Sequence, residues 1–203
     1  IKGLHFGIVY GLTPKNLYLK LISEGVKITL ERTKELHETY FRTYRKVREL
    51  IEFFKSFAED HGYIDSMFGF RRPIFTQGDD SGRETFWGNQ AVNTPIQSGA
   101  HTFMLIAMAL LHTRPSKYPA LLPLAEVHDA FVMRCQLDTI ADVCTQGKQL
   151  FEVDVPAYVT EKFGFKLKVP IACENSVGFR LGSMVEDYKG DSWKALTKKW
   201  AVY

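Results

Sequence analysis

The sequence has few cysteines and none of the patterns that mark a disulfide framework or a zinc ribbon. Cys135, Cys144 and Cys173 are widely spaced and odd in number, and no CxxC pair occurs. This usage argues against a small secreted scaffold built on disulfides. It favours a reducing compartment such as the cytosol.

Long apolar runs and a large excess of one charge are also absent. No stretch of about 18 apolar residues occurs, so the sequence predicts no membrane span, and the apolar stretch over residues 103–111 is typical of a buried helix. Lys and Arg number 26 against 23 Asp and Glu, which gives a net charge of +3 in 203 residues. This balance permits a nucleic-acid partner without requiring one, because dedicated non-specific binders carry a stronger basic bias.

Internal repeats and low-complexity linkers are likewise missing, and helix and strand patterns are mixed along the chain. Helix starts, helix stops and apolar spacing together predict an α+β fold, with helices on a small antiparallel sheet. The predicted helices cover residues 1–10 (ended by Gly11), a segment opened by Thr13 and Pro14, 29–61 (ended by Gly62), 83–113 (broken near Pro95), 138–163 and 192–200. The predicted strands form a hairpin over 62–75, a pair over 121–127 and 130–136, and a strand over 166–173, with a polar loop over 77–82.

A cation and two aromatic rings share one face of the first predicted helix. Because a helix turns about 100° per residue, Lys2, Phe6 and Tyr10 lie in one stripe. Lysine can neutralise phosphate charge, and an aromatic ring can stack on or gate a base and its sugar. The stripe is therefore a candidate nucleotide-binding face, although stripes of this kind more often belong to a core.

An aspartate lies at the turn between two predicted apolar strands. In the segment LAEVHDAFVM, residues 124–133, the turn falls at His128 and Asp129. An aspartate at this place can simply cap the turn. It can also offer a carboxylate to Mg²⁺, a hard ion that prefers oxygen ligands.

Amide and guanidinium groups form two further candidate sites. Asn93 and Gln97 are four residues apart near a helix start, so their amides can donate to the minor-groove acceptors that all base pairs offer. Arg71 and Arg72 lie in the predicted hairpin, where guanidinium groups can contact backbone phosphates. The alternatives, ordinary polar helix caps and solvated surface arginines, remain open from these residues alone.

The order of these segments is more specific than any one of them. K-x-x-x-F-G-x-x-Y-G, then G-Y-x-x-x-x-F-G-x-R-R, then N-x-P-I-Q and V-H-D, over residues 1–135, resemble the family A (DNA polymerase I-like) polymerases. Residues 169–178 resemble the last palm strand of that family. The resemblance implies a right-hand polymerase fragment, with mainly helical fingers over residues 1–75 and part of an antiparallel palm sheet over 76–203. The thumb and the first palm motif of the family have no counterpart here.

The resemblance also implies roles for the candidate residues. In the fingers, Lys2 would contact the triphosphate and assist the leaving pyrophosphate, Phe6 would pack at the nucleotide sugar, and Tyr10 would lie near the templating base. The remaining candidates would meet DNA or metal: Asn93 and Gln97 at the minor groove, Arg71 at the DNA backbone, His128 at the primer terminus, and Asp129 as a ligand of Mg²⁺. The implied reaction is template-directed transfer from a dNTP to a primer 3′ end, and the implied partners are primer-template DNA and dNTP.

Two departures from the family pattern bear on activity. Ala130 follows Asp129 where the family commonly has a glutamate, and His5 stands where an asparagine is common. A two-metal site needs at least two carboxylates to hold ions about 3.5–4 Å apart. The Asp79-Asp80 pair is interpreted as loop, so we expect the second carboxylate to come from an N-terminal polymerase part, within the same polypeptide or as a separate one.

This interpretation leaves alternatives open. The start of the chain at Ile1, inside a predicted helix, indicates a split or truncated form that is inactive without the N-terminal part. A non-catalytic DNA-binding or assembly subunit with the polymerase fold is the main alternative, and an RNA-directed relative is a third. The expected location is the cytoplasm of a bacterium or of a virus-infected host cell.

The resemblance implies that an aromatic hydroxyl at the position of Phe6 favours dideoxynucleotides. We therefore expect the complete enzyme to prefer deoxynucleotides, and we expect Phe6→Tyr to reduce that preference. The measurement is the ratio of incorporation rates for the two substrates in primer extension. Equal use of both by the wild type, or an unchanged ratio in the variant, would contradict the role given to Phe6.

Overall fold

Helices and short antiparallel hairpins build the protein in the computed structural model, which describes residues 2–78, 84–86 and 88–181. The predicted α+β class is confirmed. The helices are α1 (Lys2–Val9), α2 (Pro14–Ser23), α3 (Leu30–Thr43), α4 (Arg45–His61), α5 (Gly88–Thr113), α6 (Ile140–Lys148) and α7 (Val155–Phe163). The strands are β1 (Tyr63–Asp65), β2 (Arg71–Pro73), β3 (Thr76–Gly78), β4 (Glu84–Phe86), β5 (Pro123–Val127) and β6 (Ala130–Met133).

Several helix ends follow directly from local side-chain chemistry. Thr13 is the N-cap of α2, where its hydroxyl accepts from the Asn16 amide at 3.3 Å and Pro14 takes the first helical position. Thr29 caps α3 in the same way. Gly62 ends α4 in the left-handed region with φ 74°. The predicted starts and stops at these positions are confirmed.

The long helix predicted over residues 83–113 differs from the structure in two ways. The predicted start of the helix at residue 83 is wrong, because Glu84–Phe86 form β4 instead. The predicted break is also wrong, because α5 runs without interruption through Pro95. The hydroxyls of Thr94 and Ser98 donate to the backbone carbonyls of Gln90 and Thr94, at 2.7 and 2.6 Å. These added hydrogen bonds lie on both sides of the position where proline removes one.

Two other predicted helices also differ from the structure, one in its continuity and one in its helix type. The region over 29–61 is divided at Tyr44, which ends α3 and precedes α4. The region over 138–163 starts with a 3₁₀ turn at Leu137–Thr139 and continues without interruption through α6, the π-helical segment Gln149–Asp154 and α7.

The predicted hairpins are confirmed, but one predicted strand is wrong. β1 pairs with β2, and β5 pairs with β6, both antiparallel. Residues 166–173 form no strand. Pro170 lacks an amide donor for a sheet ladder, and the amide of Cys173 donates instead to the Glu152 carboxylate at 2.9 Å. A period-two pattern of Lys, Leu and Val therefore occurs here in irregular backbone.

Two other predicted segments lie partly or wholly outside the described residues. Gln77 and Gly78 belong to β3 rather than to the predicted polar loop, and the rest of that loop, residues 79–82, lies outside the described residues. The predicted helix over 192–200 also lies outside them.

The chain divides into two units, Ile1–Gly99 and Ala100–Tyr203. In the first unit a buried cluster joins α4, the β1–β2 hairpin and the start of α5, and its members are Ala58, Ile64, Ile74 and Ala91, with Phe54 and Phe57 packed against them. The predicted boundary between residues 75 and 76 lies inside this unit, and the division into fingers and palm stays a prediction. In the part of the chain that the structure describes, no helix is long and apolar enough to cross a membrane.

Gly11 ends α1 in the left-handed region with φ 89°, directly against the side chain of Asn89. A Cβ at Gly11 would lie 2.2 Å from Asn89 Oδ1. We expect Gly11→Ala to lower the free energy of unfolding by about 1–2 kcal/mol for the backbone conformation and by about 1 kcal/mol more for displacing Asn89. Urea unfolding measures this change.

Gly25→Ala is the matched control, because Gly25 has φ 80° and an added Cβ there would meet nothing within 4 Å. Its cost comes from the backbone alone. Asn89→Ala in the Gly11→Ala background should remove the excess. Equal losses for the two glycine variants would show that the contact with Asn89 contributes nothing.

Asp65 and Arg71 are cross-strand partners in the β1–β2 hairpin and form two hydrogen bonds of 2.8 Å. Hydrogen bonding from Arg71 holds the pKa of the Asp65 carboxyl below its ordinary value, against a smaller opposing effect of desolvation. Because the pKa is lower in the folded state, the pair stabilises the hairpin above the unfolded pKa of about 3.9. That stabilisation is lost as the pH falls through the folded pKa.

An NMR titration of the Asp65 carboxyl checks this pairing. We expect Arg71→Gln to move the pKa of Asp65 up toward about 3.9, and Arg45→Gln, which changes an exposed arginine at the start of α4, to leave it in place. An unchanged titration in Arg71→Gln would rule out the pair in solution.

Candidate functional site

The two aromatic residues of the predicted nucleotide-binding stripe lie side by side, Phe6 on α1 and Tyr10 just after its last residue. The rings of Phe6 and Tyr10 have centroids 6.0 Å apart and planes inclined by 26°. Phe6 is 46% exposed, so its ring is available to a ligand rather than buried in a core. The Lys2 backbone begins α1, and its side chain lies outside the described part of the chain.

Tyr10 is joined to α5 by a contact across 87 positions of sequence. The side-chain amide of Gln97 donates from Nε2 to the Tyr10 hydroxyl at 3.1 Å. Asn93 lies one turn before Gln97 and is exposed, and no hydrogen bond within the described residues uses its amide. Two residues predicted for different ligands, one for nucleotide and one for DNA, are therefore in direct contact.

Arg71 is exposed but already engaged on one edge of its guanidinium. Two of its five N–H groups donate to Asp65, and the group lies 3.8 Å from the centroid of the Tyr63 ring. The side chain is still 59% exposed, and three donors remain for other partners. This arrangement fixes the direction of the guanidinium while leaving it accessible.

Arg72 has a structural role that sequence reasoning missed. It donates from Nη1 to the Thr94 hydroxyl at 3.2 Å and from Nη2 to Gln90 Oε1 at 2.9 Å. These bonds attach the β1–β2 hairpin to α5, beside Asn93. The sequence contained one indication of this role. Successive strand residues point to opposite faces, so Arg71 and Arg72 could not both have the same partners.

Helix α3 packs against α1 and the residues that follow it through aromatic and histidine contacts. His5 Nδ1 lies 3.4 Å from the Tyr40 hydroxyl, with the two rings edge to face. His37 donates from Nε2 to the carbonyl of Leu12, just after α1, at 3.2 Å. Burial, followed by the neighbouring Tyr44, raises the pKa of Tyr40, so its hydroxyl stays neutral at ordinary pH. These contacts fix the helix that presents Phe6 and Tyr10.

In the second unit, the turn between β5 and β6 presents Asp129 to solvent. His128 precedes it with φ 58°, a left-handed conformation that is uncommon for a residue with a side chain. Asp129 is exposed, and none of the described residues makes a hydrogen bond or ion pair with its carboxylate. The predicted hairpin turn and the position of both residues in it are confirmed.

This carboxylate fits one ligand position of Mg²⁺, because it offers a hard cation two oxygen atoms that no described residue engages. Within residues 2–78, 84–86 and 88–181, no three His, Cys, Asp or Glu side chains are placed to hold a metal ion together. Asp79 and Asp80 lie outside those ranges. The described part of the chain therefore offers one ligand rather than a complete site.

Known proteins with similar sequences are DNA polymerases. The family model described as DNA polymerase family A matches residues 1–183. DNA polymerase I of Deinococcus radiodurans is 30% identical over 179 residues, which cover 87% of this chain and 17% of that protein. A DNA polymerase of Bacillus phage SP01 is 27% identical over 188 residues, covering 91% of this chain and 20% of the phage protein.

A solved structure has the same fold over most of the chain. It is the POL domain of Pol1 from M. smegmatis in complex with DNA primer-template and dNTP, with a TM-score of 0.64 and 24% identity over 84% of this chain and 28% of that one. The predicted α+β polymerase fragment is confirmed at the level of the fold. The chain spans about a fifth of the length of the curated relatives, and the match over residues 1–183 establishes that it belongs to DNA polymerase family A.

Proposed function

We propose that this chain is the part of a DNA polymerase that binds the incoming dNTP and supplies one of the aspartates for nucleotidyl transfer. The observation that carries the proposal is the exposed carboxylate of Asp129 at the β5–β6 turn of a family A chain, which none of the described residues pairs with. A carboxylate that merely capped its turn would accept hydrogen bonds from nearby backbone amides. Asp129 makes none with the described residues.

In the first unit, α1 carries the nucleotide face. Phe6 and Tyr10 provide adjacent rings against the sugar and base of the dNTP, and Lys2 provides positive charge for the triphosphate. The Gln97–Tyr10 hydrogen bond supports a link between nucleotide binding and the face of α5 that would contact the primer-template. Asn93 and the free donors of Arg71 complete that DNA-binding set.

In the reaction, the primer 3′-hydroxyl attacks the α-phosphate of the dNTP and pyrophosphate leaves. Bound Mg²⁺ ions would supply Lewis-acid stabilisation of the attacking and leaving oxygens. Asp129 would hold one ion, His128 would lie against the primer terminus, and Lys2 would stabilise negative charge that develops on the leaving group. Closure of α1 over a correct pair would exclude water and couple pairing to chemistry.

One carboxylate cannot hold two metal ions, so the proposal includes an N-terminal polymerase part with the second aspartate, in the same polypeptide or a separate one. The absence of a three-ligand cluster among the described residues supports this requirement. The bacterial and phage relatives support action in the cytoplasm of a bacterium or of a virus-infected cell. A non-catalytic DNA-binding subunit is the alternative, favoured only by the incomplete metal site.

Primer extension with Mg²⁺ tests the proposal in three samples: this chain, the chain with its N-terminal part, and the same assembly carrying Asp129→Ala. We expect synthesis only in the complete assembly and a loss of about 10²-fold or more in the variant, because a ligand of the catalytic metal is removed. Asp142→Ala removes another exposed aspartate of the second unit and should have no effect.

Each other outcome has a definite meaning. Synthesis by this chain alone would place a second carboxylate within it, with Asp79 and Asp80 the first to test. DNA binding without synthesis in every sample would establish the non-catalytic subunit instead.

A further inference from the structure

The hairpin that carries Asp129 has little burial of its own. Most side chains of β5 are exposed, including Leu124 at 63% and Val127 at 50%. Two short strands of this kind are marginally stable by themselves. A catalytic carboxylate must nevertheless be held close to its productive position, so other contacts have to fix the turn.

One cross-strand pair links the hairpin to two other elements, α5 and the π-helical segment Gln149–Asp154. Glu126 of β5 and Phe131 of β6 are paired in register, so their side chains lie on the same face. Glu126 Oε1 lies 3.2 Å from Nδ1 of His101 on α5, and the Glu126 side chain is only 20% exposed. Phe131 packs edge to face against Phe151, with ring centroids 5.4 Å apart.

The support behind Phe131 is itself fixed by a polar cluster. Phe151 lies in the π-helical segment Gln149–Asp154, a conformation that is rare and often found at functional sites. At the end of that segment, Asp154 accepts from Lys117 at 2.8 Å and from Tyr118 at 2.5 Å. Strand β6 is therefore held through Phe131 against a constrained segment, whereas β5 depends on the contact between Glu126 and His101.

We propose that Glu126 and His101 are a positioning pair for the polymerase reaction, which hold the Asp129 turn through β5 without touching the metal or the substrate. The inference rests on the proposed function, because the position of the turn matters only if Asp129 is a metal ligand. Glu126 lies three residues before Asp129, with Val127 at the end of β5 and His128 in the turn between them. Glu126 is committed to His101, and neither residue belongs to a three-ligand cluster among the described residues.

The chemistry of the pair fits this role. An imidazolium is attracted to the carboxylate, and a neutral imidazole protonated at Nδ1 can still donate to it. The partial burial of Glu126 protects the contact from water more than an exposed ion pair is protected. The left-handed conformation of His128 needs such support, because strained residues persist only where their surroundings hold them.

Hydrogen exchange of the 203-residue chain tests the pair without any activity. Glu126→Ala and His101→Ala should each accelerate exchange over residues 123–133 by about 3- to 5-fold, and the double variant should add nothing, because both changes remove one contact. His101→Lys places a cation opposite Glu126 and should recover most of the protection. Glu161→Ala removes the exposed pair with Lys162 in the same unit and is the matched control.

Primer extension by the complete assembly provides the second readout. Glu126→Ala and His101→Ala should raise the Mg²⁺ concentration for half-maximal synthesis by about 3- to 10-fold, and they should change the KM for dNTP by less than about twofold, because the nucleotide face is on α1. His101→Lys should restore the Mg²⁺ dependence. If the pair were merely structural, its loss would lower the maximal rate without raising the Mg²⁺ requirement selectively over the KM for dNTP.

Unchanged exchange, faster exchange throughout α7 as well, or an unchanged Mg²⁺ dependence would each overturn the inference. The proposed function fails on a different result, which is full synthesis by the assembly carrying Asp129→Ala. In that case a change in exchange alone would describe a contact of the fold, and the positioning role would be overturned with it.

Discussion

The first turns of α5 are the element to which the rest of the first unit is attached. Arg72 brings the β1–β2 hairpin to Gln90 and Thr94, and Tyr10 brings the end of α1 to Gln97. These α5 residues lie on the correct faces only because the helix is continuous through Pro95. A break there would rotate Gln97 away from Thr94, and the proposed nucleotide face and the hairpin would no longer be attached to the same helix. The continuity of α5 through Pro95 is therefore a condition for this arrangement.

Short-range chemistry could be predicted from the sequence because its causes are local. Threonine caps, a proline at a first helical position and a glycine after α4 each act within one turn. The predictions failed where a distant partner decides. Pro95 lies inside a continuous helix, and residues 166–173 form no strand with any described residue although their pattern alternates. Alternation shows that a strand can form and does not supply a neighbour to pair with.

The candidate site shows the same division. Motif spacing found Phe6, Tyr10, Asn93, Gln97 and Asp129, since these types recur in a recognisable order. It could not find that Gln97 contacts Tyr10, or that Glu126 faces His101, because those pairs are 87 and 25 positions apart and depend on tertiary packing. His101 continues the four-residue spacing of Asn93 and Gln97 along α5, which was the only available signal. Such a stripe predicts a shared face, while the partner on that face comes from the fold.

The Gln97–Tyr10 contact also separates the two amides that were predicted to bind DNA. One N–H of Gln97 is donated to Tyr10, so one N–H and the carbonyl oxygen remain for other partners, whereas Asn93 keeps its whole amide. Minor-groove acceptors require donors, so in the proposed DNA-binding role the Asn93 amide would act independently of α1. For Gln97, any displacement of Tyr10 changes the direction of the remaining donor. In the proposed reaction, movement of α1 would change the direction in which Gln97 donates. Asn93 would contact DNA whether or not α1 moves.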